Sequence, residues 1–230
     1  MPRIARIVGI GYPHHIVLRG NNREKVFLDY VDYDKYLFFL SKYSKEKEVA
    51  VLAYCLMPNH IHFLVRPSGD EGLAKMMQGV TLCYSKYFNG ETGRTGRLWE
   101  CRYHSTVIDA DSYLWTVSKY IEENPVRAGI VKKPEHYPYS SAKAHMLGRK
   151  DPLLREPLFE KSELNDYRKF VRSGEDKKVT EEIRKQTRSG KPLGGEEFLL
   201  VLSEKLGCSL SFRPKGRPRK NIKEIKELRY

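Results

Sequence analysis

His60 and His62 stand one residue apart in the stretch Met57-Pro58-Asn59-His60-Ile61-His62-Phe63-Leu64-Val65-Arg66. Apolar residues dominate from Ile61 to Val65, which predicts a strand. Side chains alternate between the two faces of a strand, so both imidazoles leave from one face and Ile61, Phe63 and Val65 from the other. Each neutral ring offers a nitrogen lone pair, and two side by side can hold a divalent cation. Taken alone, such a pair is also common in strands that bind nothing. The Phe63-Leu64-Val65-Arg66 that follows lacks the acidic residue and further histidine of zinc hydrolases that use His-x-His. A third ligand must come from elsewhere in the chain.

Asp109-Ala110-Asp111-Ser112 offers several N-capping side chains, which predicts a helix running to about Glu123. Pro125 disfavours the helical conformation at Asn124 and ends it. Leu114, Val117 and Ile121 form its core stripe. Tyr120 and Asn124, one turn apart, share a flank of that stripe. The amide oxygen of Asn124 is a hard ligand that would complete a three-point metal site. The phenol of Tyr120 can act as an oxygen nucleophile toward phosphorus. Phenols ionise only near pH ~10, so at neutral pH the attack needs a cation that polarises the phosphate. By periodicity alone, Tyr120 is an ordinary aromatic on a helix flank.

The elements that must position these groups follow from the pattern. Tyr12–Leu18 reads as a strand, and Asp32–Lys47 as an amphipathic helix. Val49–Leu56 is apolar on both faces, as a central strand should be, and turns through Met57-Pro58-Asn59 into the histidine strand. Leu73–Phe88 is a second helix, Asn89–Arg97 a glycine-rich basic loop, and Arg102–Ile108 a last strand. This order is that of an α+β, ferredoxin-like split-βαβ antiparallel sheet with two helices on one face. The other face is free for His60 and His62, and the helix that carries Tyr120 is expected there. His14 and His15 face opposite ways and read as ordinary strand histidines. Residues 1–148 make up the catalytic domain on this reading, and 149–230 a helical, basic extension. Its helices are expected at Asn165–Phe170, Val179–Thr187, Glu196–Leu206 and Lys223–Arg229.

Forty-two Lys and Arg against 29 acids give a net charge of +13, which predicts a polyanionic partner. Fifteen Tyr and nine Phe add ring faces on which unpaired bases stack. Four scattered cysteines without Cys-x-x-Cys argue against a zinc knuckle and for a reducing compartment. No stretch is long and apolar enough to span a membrane, and no signal-peptide pattern opens the chain. Candidate DNA contacts are Arg19, Asn21, Asn22 and Arg23, then Arg94 and Arg97 in the glycine-rich loop, then Arg102 and Arg127. Arg217 and Arg219 follow in the basic run Arg213–Lys220, which resembles a minor-groove hook.

His60-Ile61-His62 together with Tyr120-Ile121-Glu122-Glu123-Asn124-Pro125-Val126-Arg127-Ala128-Gly129 resembles the single-tyrosine, His-hydrophobic-His transposases, in particular the REP-associated tyrosine transposases of bacteria. Arg19-Gly20-Asn21-Asn22-Arg23, Leu98-Trp99-Glu100 and Tyr137-Pro138-Tyr139-Ser140-Ser141 agree. The resemblance is strong over about residues 5–145. It implies that His60 and His62 ligate magnesium or manganese and that Tyr120 attacks single-stranded DNA, leaving a 5′-phosphotyrosine bond that a second 3′-hydroxyl can reverse. Asn124 stands where insertion-sequence relatives carry Gln, one methylene longer. The implied targets are palindromic repeats folded into hairpins, and the implied setting is the bacterial cytoplasm, at the nucleoid. Monomer and helix-exchanging homodimer both occur in the superfamily. The alternative reading is a non-catalytic hairpin-binding protein domesticated from such a transposase, with the same basic surface.

Overall fold

The computed structural model describes residues 6–207 and residue 210. Four strands, β1 (His14–Arg19), β2 (Val49–Met57), β3 (His60–Pro67) and β4 (His104–Val107), form one antiparallel sheet in the order β2-β3-β1-β4. Helices α1 (Tyr30–Glu46) and α2 (Gly72–Thr92) connect them in the split-βαβ manner and pack against each other on one face. The fold is the α+β class that the patterning predicts.

The pleat explains the first core layer. Ile16, Leu18, Ile61, Phe63 and Val65 share a face and meet Tyr36, Leu40, Met76, Val80 and Tyr84 from the two helices. A register shift between Val51 and Ala53 in β2 resets the alternation. Val51, Tyr54 and Leu56 thus join this layer, while Leu52, Ala53, Cys55 and Met57 fall on the other face.

The second face carries the expected catalytic helix, and its covering extends beyond that helix. Leu52, Ala53, Cys55, Met57 and Leu64 are too apolar to face water, and α3 (Ala110–Glu122) lays Val117 and Ile121 across them. The covering continues into α6 (Leu164–Arg172) and α7 (Lys177–Ser189), which add Tyr167, Val171 and Ile183. A third small cluster joins Val107 to Leu202 of α8 (Glu196–Leu206).

Two local boundaries also differ. Helix α2 runs on to Thr92 and stops at Gly93, whose φ of 62° is the left-handed conformation glycine adopts freely, so the loop begins four residues later than its composition suggests. Asp109 precedes α3 without a side-chain capping bond. Pro125 ends α3 and also sits in the first turn of α4 (Asn124–Arg127), where a missing N–H is tolerated. Helix α5 (Ala142–Leu147) follows. The basic run from Arg213 and the terminal helix expected at Lys223–Arg229 lie outside the described residues. Among the described residues, no helix is long and apolar enough to cross a membrane.

Candidate metal and nucleophile site

Register places the histidines. His60 lies opposite Arg19 and Met57, and His62 opposite Val17 and Cys55, so all six side chains leave from the roofed face. The rings of His60 and His62 meet edge to face with centroids 5.2 Å apart. Helix α3 crosses this face and sets the Tyr120 ring edge-on to that of His62, with centroids 5.7 Å apart. His62 and Tyr120 are 4% and 8% exposed, and His60 is half-buried.

The ring nitrogens are already sorted. His60 Nδ1 lies 2.7 Å from Asn59 Oδ1, and that amide is oriented by its Nδ2, which donates to Arg23 O. His62 Nδ1 lies 3.0 Å from His15 Nε2. Among the described residues, the hydrogen bonds of both rings are made through Nδ1, which leaves the outer nitrogens, Nε2, for ligation. Burial pushes His60 down to about 4, helped by the charges of Arg19 and Arg127. Burial, the neighbouring rings and the same arginines hold His62 well below the ordinary imidazole range. Neutral imidazole is the ligating form, so the donor set fits a divalent cation.

A third ligand is less obvious. Among the described residues no three of His, Cys, Asp and Glu gather into a metal-sized cluster. Asn124, just past α3, donates its Nδ2 to Tyr120 O and Ile121 O at 3.1 and 3.0 Å. Its Oδ1 is thereby the end of the amide left for a ligand.

Arg127 is built into the site as well. Its guanidinium lies 4.4 Å from the Tyr120 ring centroid and donates to Tyr120 O. Glu123 and Glu175 flank it at 3.6 and 3.9 Å. Burial lowers its pKa from the ordinary guanidinium value.

The other expected DNA contacts gather at the edge of this site. The Arg19–Arg23 turn is stitched to the hairpin that leads into His60, through Gly20 N to Asn59 O at 2.9 Å and Val26 N to Pro58 O at 2.8 Å. A Cβ on Gly20 would come within 2.5 Å of Glu24 O, so only glycine lets the backbone pass there. Asn22 and Arg23 both take positive φ and are exposed. Arg94 is tied to Glu24 at 2.5 Å, whereas Arg97 and Arg102 are exposed. Arg217 and Arg219 lie outside the described residues.

Sequence reasoning missed His15. It is fully roofed, hydrogen-bonds His62, and sits edge-on to Tyr120 at 5.6 Å. The available signal was its shared parity with Val17 and Arg19, opposite to the core residues Ile16 and Leu18. Glu122 was also missed. Fully buried, it accepts from Ser141 Oγ and His145 Nδ1 at 2.5 Å each and from the Tyr167 hydroxyl at 2.9 Å. One residue before Tyr120, Lys119 donates to Phe170 O and Gly174 O at 2.8 and 2.5 Å. Helix α3 is thus pinned on both sides of the phenol.

Residues 11–124 match the family described as transposase IS200-like, and this part of the chain, which holds His60, His62, Tyr120 and Asn124, belongs to it. Within that family it resembles the REP-associated branch. A putative REP-associated tyrosine transposase of Haemophilus influenzae is 28% identical over 100 residues, 39% of this chain and 57% of that protein. The match therefore spans little more than half the length of that curated relative. A solved structure of a REP-associated tyrosine transposase bound to a REP hairpin shares the fold, with a TM-score of 0.54 at 19% identity over 70% of this chain and 96% of that one.

Proposed function

We propose that this protein is a metal-dependent DNA strand-cleaving and joining enzyme, a transposase that acts on single-stranded DNA beside palindromic repeat hairpins. One observation carries the reading: β3 and α3, far apart in sequence, bring the Tyr120 ring edge-on to His62, whose own ring meets that of His60. On this reading His60, His62 and Asn124 hold magnesium or manganese. A bound cation there would polarise the scissile phosphate and offset charge on its non-bridging oxygens.

Tyr120 Oη attacks phosphorus, its proton passes to solvent, the P–O3′ bond breaks, and the 3′ oxygen takes a proton from solvent and leaves as a hydroxyl. The new 5′-phosphotyrosine ester keeps the bond energy, so a second 3′-hydroxyl can reverse the step and join strands without ATP. The half-buried His60 marks the accessible side of the site. The exposed Asn22, Arg23, Arg97 and Arg102 supply phosphate and base contacts from the adjoining surface. The cellular setting that goes with this reading is the bacterial nucleoid.

A suicide hairpin substrate incubated with the protein and Mn2+, run on a denaturing gel, is the test. A covalent protein–DNA band is expected from the wild type and none from Tyr120→Phe. No band from the wild type, or one that survives the substitution, overturns the reading in favour of a binding-only protein.

A further inference from the structure

We propose that His15 and Thr187 are positioning residues that set the tautomer of His62 and so leave its Nε2 free to bind metal. The inference rests on reading His62 as a ligand. It brings α7, beyond the residues that match the transposase family, into the site.

The polarity of the chain from Thr187 to His62 follows from the protons each group carries. The Thr187 hydroxyl has one hydrogen and lies 2.7 Å from Ile183 O, one helical turn back, which can only accept. With its hydrogen spent there, Thr187 Oγ1 meets His15 Nδ1, at 2.9 Å, as an acceptor. His15 therefore carries its proton on Nδ1, and its Nε2 is a bare lone pair. His62 Nδ1, 3.0 Å from that lone pair, must then be the donor. A neutral His62 protonated on Nδ1 has a bare Nε2, the atom a cation needs. The opposite polarity, with Thr187 donating to His15, would place a hydrogen on His62 Nε2 and close it to metal. His15, His62 and Thr187 are all buried, so water does not readily substitute for any link. The backbone of β1 holds His15, and His14, its neighbour, faces the other way on partners of its own.

Outer partners of this kind typically contribute ~10–100-fold to metal affinity. The experiment uses the full chain labelled with 15N-histidine. Two-bond proton–nitrogen spectra of the metal-free protein report which nitrogen of His62 is protonated, and electron paramagnetic resonance titration with Mn2+ alone reports binding. The wild type is expected to show His62 protonated on Nδ1. Thr187→Val and His15→Phe are expected to populate the Nε2–H form and weaken Mn2+ binding by ~10–100-fold, while Thr187→Ser, which keeps the hydroxyl, restores both readouts.

His62 protonated on Nε2 in the wild type, or unchanged spectra and affinity in both disruptive variants, overturns the inference. A wild type with Nδ1–H on His62 that binds no Mn2+ overturns the ligand reading of the proposed function and leaves the proton relay standing. Should Thr187→Val fail to fold, His15→Phe and Thr187→Ser decide the same question.

Discussion

The two faces of the sheet are held by different physics. On the α1–α2 face, contact is apolar and redundant: Phe63 and Ile16 are fully buried beneath Tyr36, Tyr84 and Leu40. On the α3 face, an apolar layer is joined by contacts that are single and directional. His15 to His62, Asn59 to His60, and Glu122 to Ser141, His145 and Tyr167 each depend on one named atom pair. Apolar packing is insensitive to small angular errors, whereas a hydrogen bond weakens steeply with misalignment. Substitutions on the first face should therefore act on stability alone, and those on the second on chemistry as well.

The largest expected contrast pairs Phe63→Ala with Tyr120→Phe. Removing a buried ring costs ~3–5 kcal/mol, so Phe63→Ala should lower the urea midpoint severely. The Tyr120 hydroxyl makes no hydrogen bond to the described residues, so its removal should leave stability within ~0.5 kcal/mol. Covalent adduct should vanish in the second variant and persist, per folded molecule, in the first. Equal loss of stability in both would erase the distinction between the faces.

Next in size is Glu122→Gln. The carboxylate accepts three hydrogen bonds from elements on either side of α3, and an amide presents a donor where an acceptor is required. A loss of ~2–3 kcal/mol is expected, the range for bonds to charged groups and unsatisfied buried partners. Because Glu122 shares α3 with Tyr120, the surviving folded protein should also lose adduct yield, which Phe63→Ala should not. Denaturant melts alongside adduct yield check this.

A pH experiment compares the faces through adjacent residues. His14 belongs to the face of Ile16, accepts from Gly9 N through Nε2 at 3.1 Å, and has its Nδ1 2.8 Å from Tyr12 O. Burial pushes it down to about 4 from an ordinary imidazole value near 6.5. The unfolded chain thus takes up a proton as pH falls below about 6.5, while the folded chain resists until about 4. Stability is full above that window and falls through it, by up to ~3 kcal/mol from this group. Replacing His14 by Gln should make the slope of melting temperature against pH shallower between 7 and 4, an interval on the order of that window. An unchanged slope would show that the roofed histidines alone cause the acid sensitivity.

Much of the first face was legible because period and burial are local. The alternation through Ile61–Val65 and the helical spacing of Tyr33, Tyr36, Leu37 and Leu40 each say which side turns inward. The pair His60–His62 and the turn Tyr120–Asn124 were readable for the same reason. The roof was not, because Tyr167, Ile183 and Thr187 reach the sheet from a charged stretch whose own pattern indicates only short helices. His15 shows the limit best. Parity places it on the face opposite to Ile16 and Leu18, but its partner Thr187 is 172 residues away, and nothing near either residue announces the other. Glu122 is held by Ser141, His145 and Tyr167, which converge on it from 19 or more residues away.

The smallest expected effects lie at the rim, where the two arginines of the loop after α2 differ in one respect. Arg94 is ion-paired with Glu24 and half-buried, whereas Arg97 is exposed. Each phosphate neutralised by a free cation steepens the salt dependence of DNA binding by about 0.9 in the log–log slope for duplex and about 0.7 for single strands. Arg97→Ala should therefore reduce the slope for a hairpin ligand by nearly one. Arg94→Ala should reduce it by less, since Glu24 already offsets that charge, and an exposed pair of this kind contributes only ~0–1 kcal/mol to stability. Glu24→Ala should release Arg94 and steepen the slope. Fluorescence anisotropy across a salt series separates the three variants. Identical slopes for Arg94→Ala and Arg97→Ala would mean that the ion pair opens when DNA arrives, so that even at this edge a contact fixed in the free protein is exchanged for one made only in the complex.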